Sequence, residues 1–193
     1  MIVSREGPAA ATLGDLATTL RGCTACAELA AGRTTVVVGD FPAGARILLV
    51  GEAPGAQEDE AGRPFVGRAG QLLDSVLSEA GLDRGQVAVA NVLKCRPPAN
   101  RTPTRREAAQ CSPWLDRQIE LVDPRVVVTL GGTALAWALG PGLRLRDARG
   151  VVHDWRGRRL VATYHPSAAL RFGPHGEPIQ ALRADLRLAR EAL

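Results

Sequence analysis

Four cysteines, a carboxylate, an amide and an imidazole are the side chains of this sequence best placed to hold a metal or to catalyse a reaction. The cysteines are Cys23-x-x-Cys26, Cys95 and Cys111. Four thiolates suit either zinc or an iron–sulfur cluster, although the second pair is not C-x-x-C and so departs from a zinc ribbon. The other three groups each stand directly after an apolar run: Glu52 in Gly51-Glu52-Ala53-Pro54-Gly55, Asn91 after Val87–Ala90, and His165 in His165-Pro166-Ser167. A carboxylate can orient water or favour a cation, an amide offers a donor beside an acceptor, and an imidazole passes a proton near neutral pH. One such residue at a strand end is usually a loop or capping residue. Three converging on one edge of a sheet describe a pocket with a hydrogen-bonding reader and a proton donor.

That convergence depends on the elements between them. Arg46–Val50, Val87–Ala90, Arg125–Leu130 and Leu160–Tyr164 are short apolar runs of the kind buried in parallel sheets. Helical patterns separate them. Ala69–Ala80 sets Leu72, Leu73, Val76 and Leu77 on one face and stops at Gly81; Thr104–Leu121 opens with a Thr cap and a Glu three residues on; Thr133–Leu139 is short. A first helix is expected over Thr12–Ala31, around the Cys23/Cys26 pair, and a last one over Arg183–Leu193. Alternation of this kind predicts an α/β fold, three layers α/β/α around a central four-stranded parallel sheet, because parallel neighbours need a crossover. A small hairpin is expected in Leu143–Arg159, punctuated by Arg149-Gly150 and Arg156-Gly157. Ligands of such sheets bind at the carboxyl ends of the strands, where Glu52, Asn91 and His165 fall.

At 193 residues the chain fits one domain, 1–193, with no repeat and no evident linker. Its 46% apolar and 4% aromatic content requires a core of Leu, Val and Ala. The formal charge of +4 and pI near 9.3 permit a polyanionic partner without demanding one, and Lys94 is the only lysine, so the positive charge is almost all arginine. Arg5 and Glu6 interrupt the place where a signal peptide would be apolar, and no segment has the length to span a bilayer. The expectation is a cytoplasmic monomer without membrane contact, whose cysteines hold a metal or remain thiols rather than form disulfides. Phe65, between Pro64 and several glycines, reads equally as a loop anchor or an exposed stacking platform. Neither G-x-x-x-x-G-K-[ST] nor G-x-G-x-x-G is present.

Taken together, GEAPGAQEDEAGRPFVGRAGQLL, NVLKCRPPANR and YHPSAALR resemble the family 4 uracil-DNA glycosylases, over Cys23 to about Arg171. The resemblance implies the uracil-glycosylase fold, a [4Fe-4S] cluster on Cys23, Cys26, Cys95 and Cys111 in place of zinc, and base excision from uracil-containing DNA. A related group within the wider superfamily becomes covalently trapped on uracil-containing DNA through a histidine in a basic insert after the second strand. Here the chain runs directly from Lys94-Cys95 to Arg101, so ordinary turnover is expected.

An enzyme acting on a stacked base must flip it out. Asn91 would meet uracil's N3–H and O4 bidentately and refuse cytosine, which reverses that pattern. Phe65 would stack on the ring; by resemblance Glu58 would exclude thymine's methyl group, and Ala53 stands where base choice is influenced. His165 would donate to the leaving uracil O2 as charge develops, and Glu52 would orient water. Ser167, Leu170 and Arg171 would contact phosphate and wedge into the helix. Arg96, Asn100 and Arg101 would line the DNA backbone; Arg105 and Arg106 fit that role or a solvated helix start equally. The rivals are an inactive or covalently trapping uracil-DNA-binding module and an enzyme of free uracil nucleosides.

Overall fold

The computed structural model describes residues 8–173 and 175–193. Three apolar runs become strands buried along their whole length: β1 (Ile47–Gly51), β2 (Val87–Asn91) and β3 (Val126–Leu130). With β4 (Val152–Trp155) and β5 (Arg158–Thr163) they form one sheet in the order β2-β1-β3-β5-β4. The first four of these are mutually parallel and β4 is antiparallel to β5.

Four parallel strands are therefore as expected, but the hairpin is not a separate appendage. Its turn is Arg156-Gly157, both at positive φ (48° and 73°), and its second arm is the fourth parallel strand itself, so β4 adds a fifth strand at the sheet edge. Two positive-φ residues give the turn a twist that matches the twist of the strands it joins. The Arg149-Gly150 pair instead follows a short helix, α7 (Leu145–Ala148).

Alternate residues of the strands face opposite layers, as a two-residue period requires. Leu49, Val89, Val128 and Val161 pack against Leu73, Val76 and Leu77 of α4 (Arg68–Glu79) and Leu182 and Leu186 of α9 (Glu177–Glu191). Leu48, Ala90, Val127 and Leu160 face Leu20 of α1 (Leu13–Arg21), Leu29 of α2 (Ala27–Gly32), Leu115 and Ile119 of α5 (Arg105–Val122) and Ala134 of α6 (Gly132–Leu139). The three layers are those expected.

The expected first helix is two. The α-helix stops at Gly22, and Cys26 takes an extended conformation (φ −109°, ψ 92°) as the cap of α2, so Cys23 and Cys26 lie in the break. The apolar spacing of Leu16, Leu20 and Leu29 continues across that break and conceals it. Thr104 caps α5 as expected, with a reciprocal bond from its own N–H to Glu107. The last helix begins six residues before the expected start, at Glu177. Besides α7, two short helices went unread, α3 (Ala56–Ala61) and α8 (Pro166–Phe172). Among the described residues no helix is long and apolar enough to cross a membrane.

Candidate active site

The sheet register brings the strand ends level: Gly51 lies opposite Asn91 and Leu130 opposite Thr163. A cavity of about 330 Å³ opens at this edge, lined by Glu52, Asn91, His165 and Phe65 together. Its floor is bare by necessity, because a Cβ at Gly51 would collide with Asn91 Oδ1 and the Phe65 ring. Asn91 is 3% exposed, and its Oδ1 has no hydrogen-bond partner among the described residues. A buried amide oxygen left unpaired costs roughly 1–3 kcal/mol, so this edge is shaped for a donor from elsewhere.

Phe65 packs partly against the core cluster that includes Leu73 and Val76 of α4, as a loop anchor would, and it also lines the cavity. It holds a positive φ of 54°. Two features impose that conformation. Gly70, in the first turn of α4, has no Cβ, and one would strike the Phe65 carbonyl. The Glu58 carboxylate, on α3, accepts from the backbone N–H groups of Gly55 (3.1 Å), Val66 (3.0 Å) and Gly67 (2.8 Å). Glu58 lines the cavity as expected, but its oxygens are occupied in folding the loop that carries Phe65.

His165 caps α8. Its Nδ1 accepts from the Ser167 backbone N–H (3.2 Å) and lies 2.8 Å from Ser167 Oγ. A ring nitrogen that accepts a backbone N–H carries no proton, so in the neutral ring the proton sits on Nε2. Burial pushes the imidazole down to about 4, against a weaker opposing pull from Glu58. At neutral pH it is therefore an uncharged donor. Its centroid is 5.6 Å from that of Phe65, with the planes tilted by 31°. Glu52 accepts a hydrogen bond from Thr133 Oγ1, at the start of α6. Thr133 is a site residue the sequence reading passed over; it is the first polar residue after Leu130-Gly131-Gly132, at the one strand end without a polar residue of its own.

Ala53, Asn100, Arg101 and Ser167 also line the cavity, whereas Arg96, Leu170 and Arg171 lie outside its wall. Arg96 Nε donates to Asn100 Oδ1 at 2.8 Å. Arg101 is engaged within the protein: its guanidinium grips both oxygens of Glu107 (2.7 and 2.9 Å) and one of Glu28 (3.1 Å), and that contact holds the Glu107 carboxyl down at about 2. Leu170 on α8 is 39% exposed, and Phe172, which the sequence reading did not single out, is 65% exposed.

Cys23, Cys26, Cys95 and Cys111 line a second, small space of about 20 Å³, together with apolar side chains such as Leu20, Leu29 and Trp114 and with Arg33, Lys94 and Gln110. Arg33 donates to Cys95 Sγ (3.0 Å) and to the Cys23 carbonyl (2.7 Å), and Cys26 Sγ donates to Gln110 (3.2 Å). Burial pushes the Cys111 thiol up to about 12 and raises Cys26 and Cys95 as well. All four are free thiols. Among the described residues no three His, Cys, Asp or Glu side chains close to metal-binding geometry. Lys94, beside Cys95, is fully buried, and burial lowers its ammonium to about 8.

The geometry agrees with what the chain is similar to. The model of the uracil DNA glycosylase superfamily matches residues 38–187. A type-4 uracil-DNA glycosylase of Thermotoga maritima is 49% identical over 154 residues, covering 79% of this chain and 80% of that protein. Its namesake in Saccharolobus solfataricus is 38% identical over 188 residues, covering 92% and 85%. A type-5 uracil-DNA glycosylase of Mycobacterium leprae is 36% identical over 150 residues, covering 66% and 65%. With most of its length and all of its cavity-bearing strands inside the match, the chain belongs to the uracil DNA glycosylase superfamily, and within it to the type-4 family.

Proposed function

We propose that this protein removes uracil from DNA by hydrolysing the N-glycosidic bond, leaving an abasic site. The observation that carries the reading is the buried, unpartnered Oδ1 of Asn91 on the floor of the strand-end cavity. Uracil supplies the missing donor through N3–H, and the Asn91 NH2 meets its O4. The base reaches that depth only when it is extruded from the stack. Phe65 then covers one ring face, held by the Glu58-organised loop. Glu58 thus acts on the base through Phe65 rather than as a free carboxylate against the C5 edge.

Bond cleavage places negative charge on uracil and positive character on the sugar. His165 Nε2–H, neutral and fixed by Ser167, donates to O2 as that charge appears. A neutral donor serves better than an imidazolium, which would draw charge from the ground state as well. Glu52, steadied by Thr133, orients the attacking water and favours the cationic sugar. Leu170 and the more exposed Phe172 are the apolar side chains available to fill the space the base vacates. Arg96 and Arg171 are left to meet phosphate; Arg101, held by two carboxylates, shapes the cavity mouth.

The four cysteines form a donor set of soft thiols around one small space, which fits an iron–sulfur cluster. Cys23, Cys26, Cys95 and Cys111 would hold it, and bound there it supplies a structural crosslink between the α1–α2 break, the segment after β2 and α5. Arg33 would then donate to the Cys95 thiolate.

Asn91→Asp tests the base-reading claim. An aspartate facing O4 sets acceptor against acceptor, whereas cytosine's N4 amino group gains a partner. The preference should shift toward cytosine by roughly ten- to a hundredfold, from about 1–3 kcal/mol of discrimination per bidentate pair. Unchanged uracil excision with no shift would remove Asn91 as the reader.

A further inference from the structure

The only lysine of a chain with 24 Lys and Arg residues is not on the surface. Lys94 is 0% exposed, and its Nζ donates to the Asn91 backbone carbonyl at 2.8 Å and to Gln118 Oε1 at 2.6 Å. The strand geometry explains why that carbonyl needs a donor. β2 is an edge strand, paired only with β1. Its outer side is covered at Val89, whose N–H and C=O both bond Asp40 at 2.8 Å. Residues two apart in a strand point their backbone groups to the same side, so the carbonyl of Asn91 also faces outward, one step beyond the Asp40 bridge. No strand neighbour reaches it. Lys94 does, and Gln118 Nε2 in turn donates to the Val38 carbonyl (2.8 Å), while Val37 N–H donates to the Lys94 carbonyl (2.8 Å).

The result is a closed hydrogen-bonded chain, Asn91–Lys94–Gln118–Val38, between the end of β2, α5 and the segment flanking the sheet. A guanidinium is planar and larger; a compact ammonium suits two acceptors in so confined a space. The one lysine of this arginine-rich chain thus lies at the backbone of the residue whose side chain faces the cavity.

We infer that Lys94 is a positioning residue for base recognition: by fixing the Asn91 carbonyl on the open edge of the sheet, it sets the height and angle at which the Asn91 amide meets uracil. The inference rests on Asn91 being the reader. Loss of the ammonium lets the end of β2 shift, and a reader displaced by a fraction of an ångström loses alignment with both N3–H and O4.

A double-mutant cycle on the full-length protein tests this, read as single-turnover uracil excision and as inhibition by free uracil. Lys94→Met should weaken both by roughly ten- to a hundredfold in the parent, yet change either by less than about twofold when added to Asn91→Ala, because there is no longer a reader to misplace. Binding to undamaged duplex should stay within about twofold of the parent. Should Lys94→Met fail to fold by circular dichroism, Gln118→Leu, which keeps the lysine and removes its second acceptor, enters the same cycle with the same expectation. Equal losses in the parent and in the Asn91→Ala background would overturn the inference and leave Asn91 as reader. If Asn91→Ala itself excises uracil at the parent rate, the base-reading claim falls and the inference falls with it.

Discussion

The tautomer and charge of His165 are set by its neighbours. Ser167 fixes the tautomer and burial removes the charge, so the ring presents Nε2–H across the neutral range. His165→Ala should bind uracil-containing DNA yet lose roughly 10²- to 10³-fold in single-turnover excision, the cost of one transition-state donor; full activity would move that task to another group. The low value also has a consequence for folding. An unfolded histidine titrates near about 6.5, so below that pH the unfolded chain takes up a proton that the folded ring refuses until about 4. Stability should therefore fall as pH drops from about 6.5 to 4, and urea melts of His165→Gln should show a shallower decline over that window; the same decline in both proteins would refute the assignment. Glu52, Asn91 and His165 were legible because each follows an apolar run directly. Thr133 and Lys94 were not: the first acts from one residue beyond a Gly-Gly turn, and a lysine after a strand reads as a solvated residue until the edge geometry shows what it holds.

Among the elements, the apolar parallel strands and the long capped helices were legible, whereas the shortest helices and the junctions between elements were not. The Thr104–Glu107 capping box is written in four consecutive residues and appears as expected. The hairpin turn was also visible, but nothing local says that its second arm completes the parallel sheet. The α1–α2 break is hidden by apolar spacing that runs through it, and the cysteines on the break are the better guide to it. The loop before α5 carries a different lesson. Arg101, expected on phosphate, spends its donors on Glu107 and Glu28 and ties α2 to the start of α5. Arg96 makes one bond to an amide and keeps the rest of its guanidinium free of ion pairs among the described residues. In salt titrations of DNA binding, Arg96→Ala should reduce the slope of log affinity against log salt by about one, and Arg101→Ala by clearly less. Arg101→Ala should instead lower the melting temperature. The reverse order of slopes would return Arg101 to the DNA interface.

Across the whole molecule, the sheet separates two sites: the strand ends hold the cavity, and the α1, α2 and α5 side holds the four cysteines. The segment from Lys94 to Arg101 joins them, so a crosslink at Cys95 would steady the cavity mouth. Protein purified without oxygen should contain iron, absorb broadly in the visible, and lose both colour and thermal stability in Cys95→Ser; stoichiometric zinc without iron would assign the thiols to the other ion. The fold class was readable because buried parallel strands and their crossovers leave a strong pattern, and the cavity because such sheets bind ligands at one end. The most direct measurement is what the purified protein does to a labelled oligonucleotide carrying one uracil, compared under single-turnover conditions with matched thymine and cytosine strands and with free deoxyuridine. Alkali-labile cleavage at the uracil position alone is expected, with no release of uracil from the nucleoside; an intact uracil strand, or excision from free deoxyuridine in its place, would overturn uracil-DNA excision as the activity.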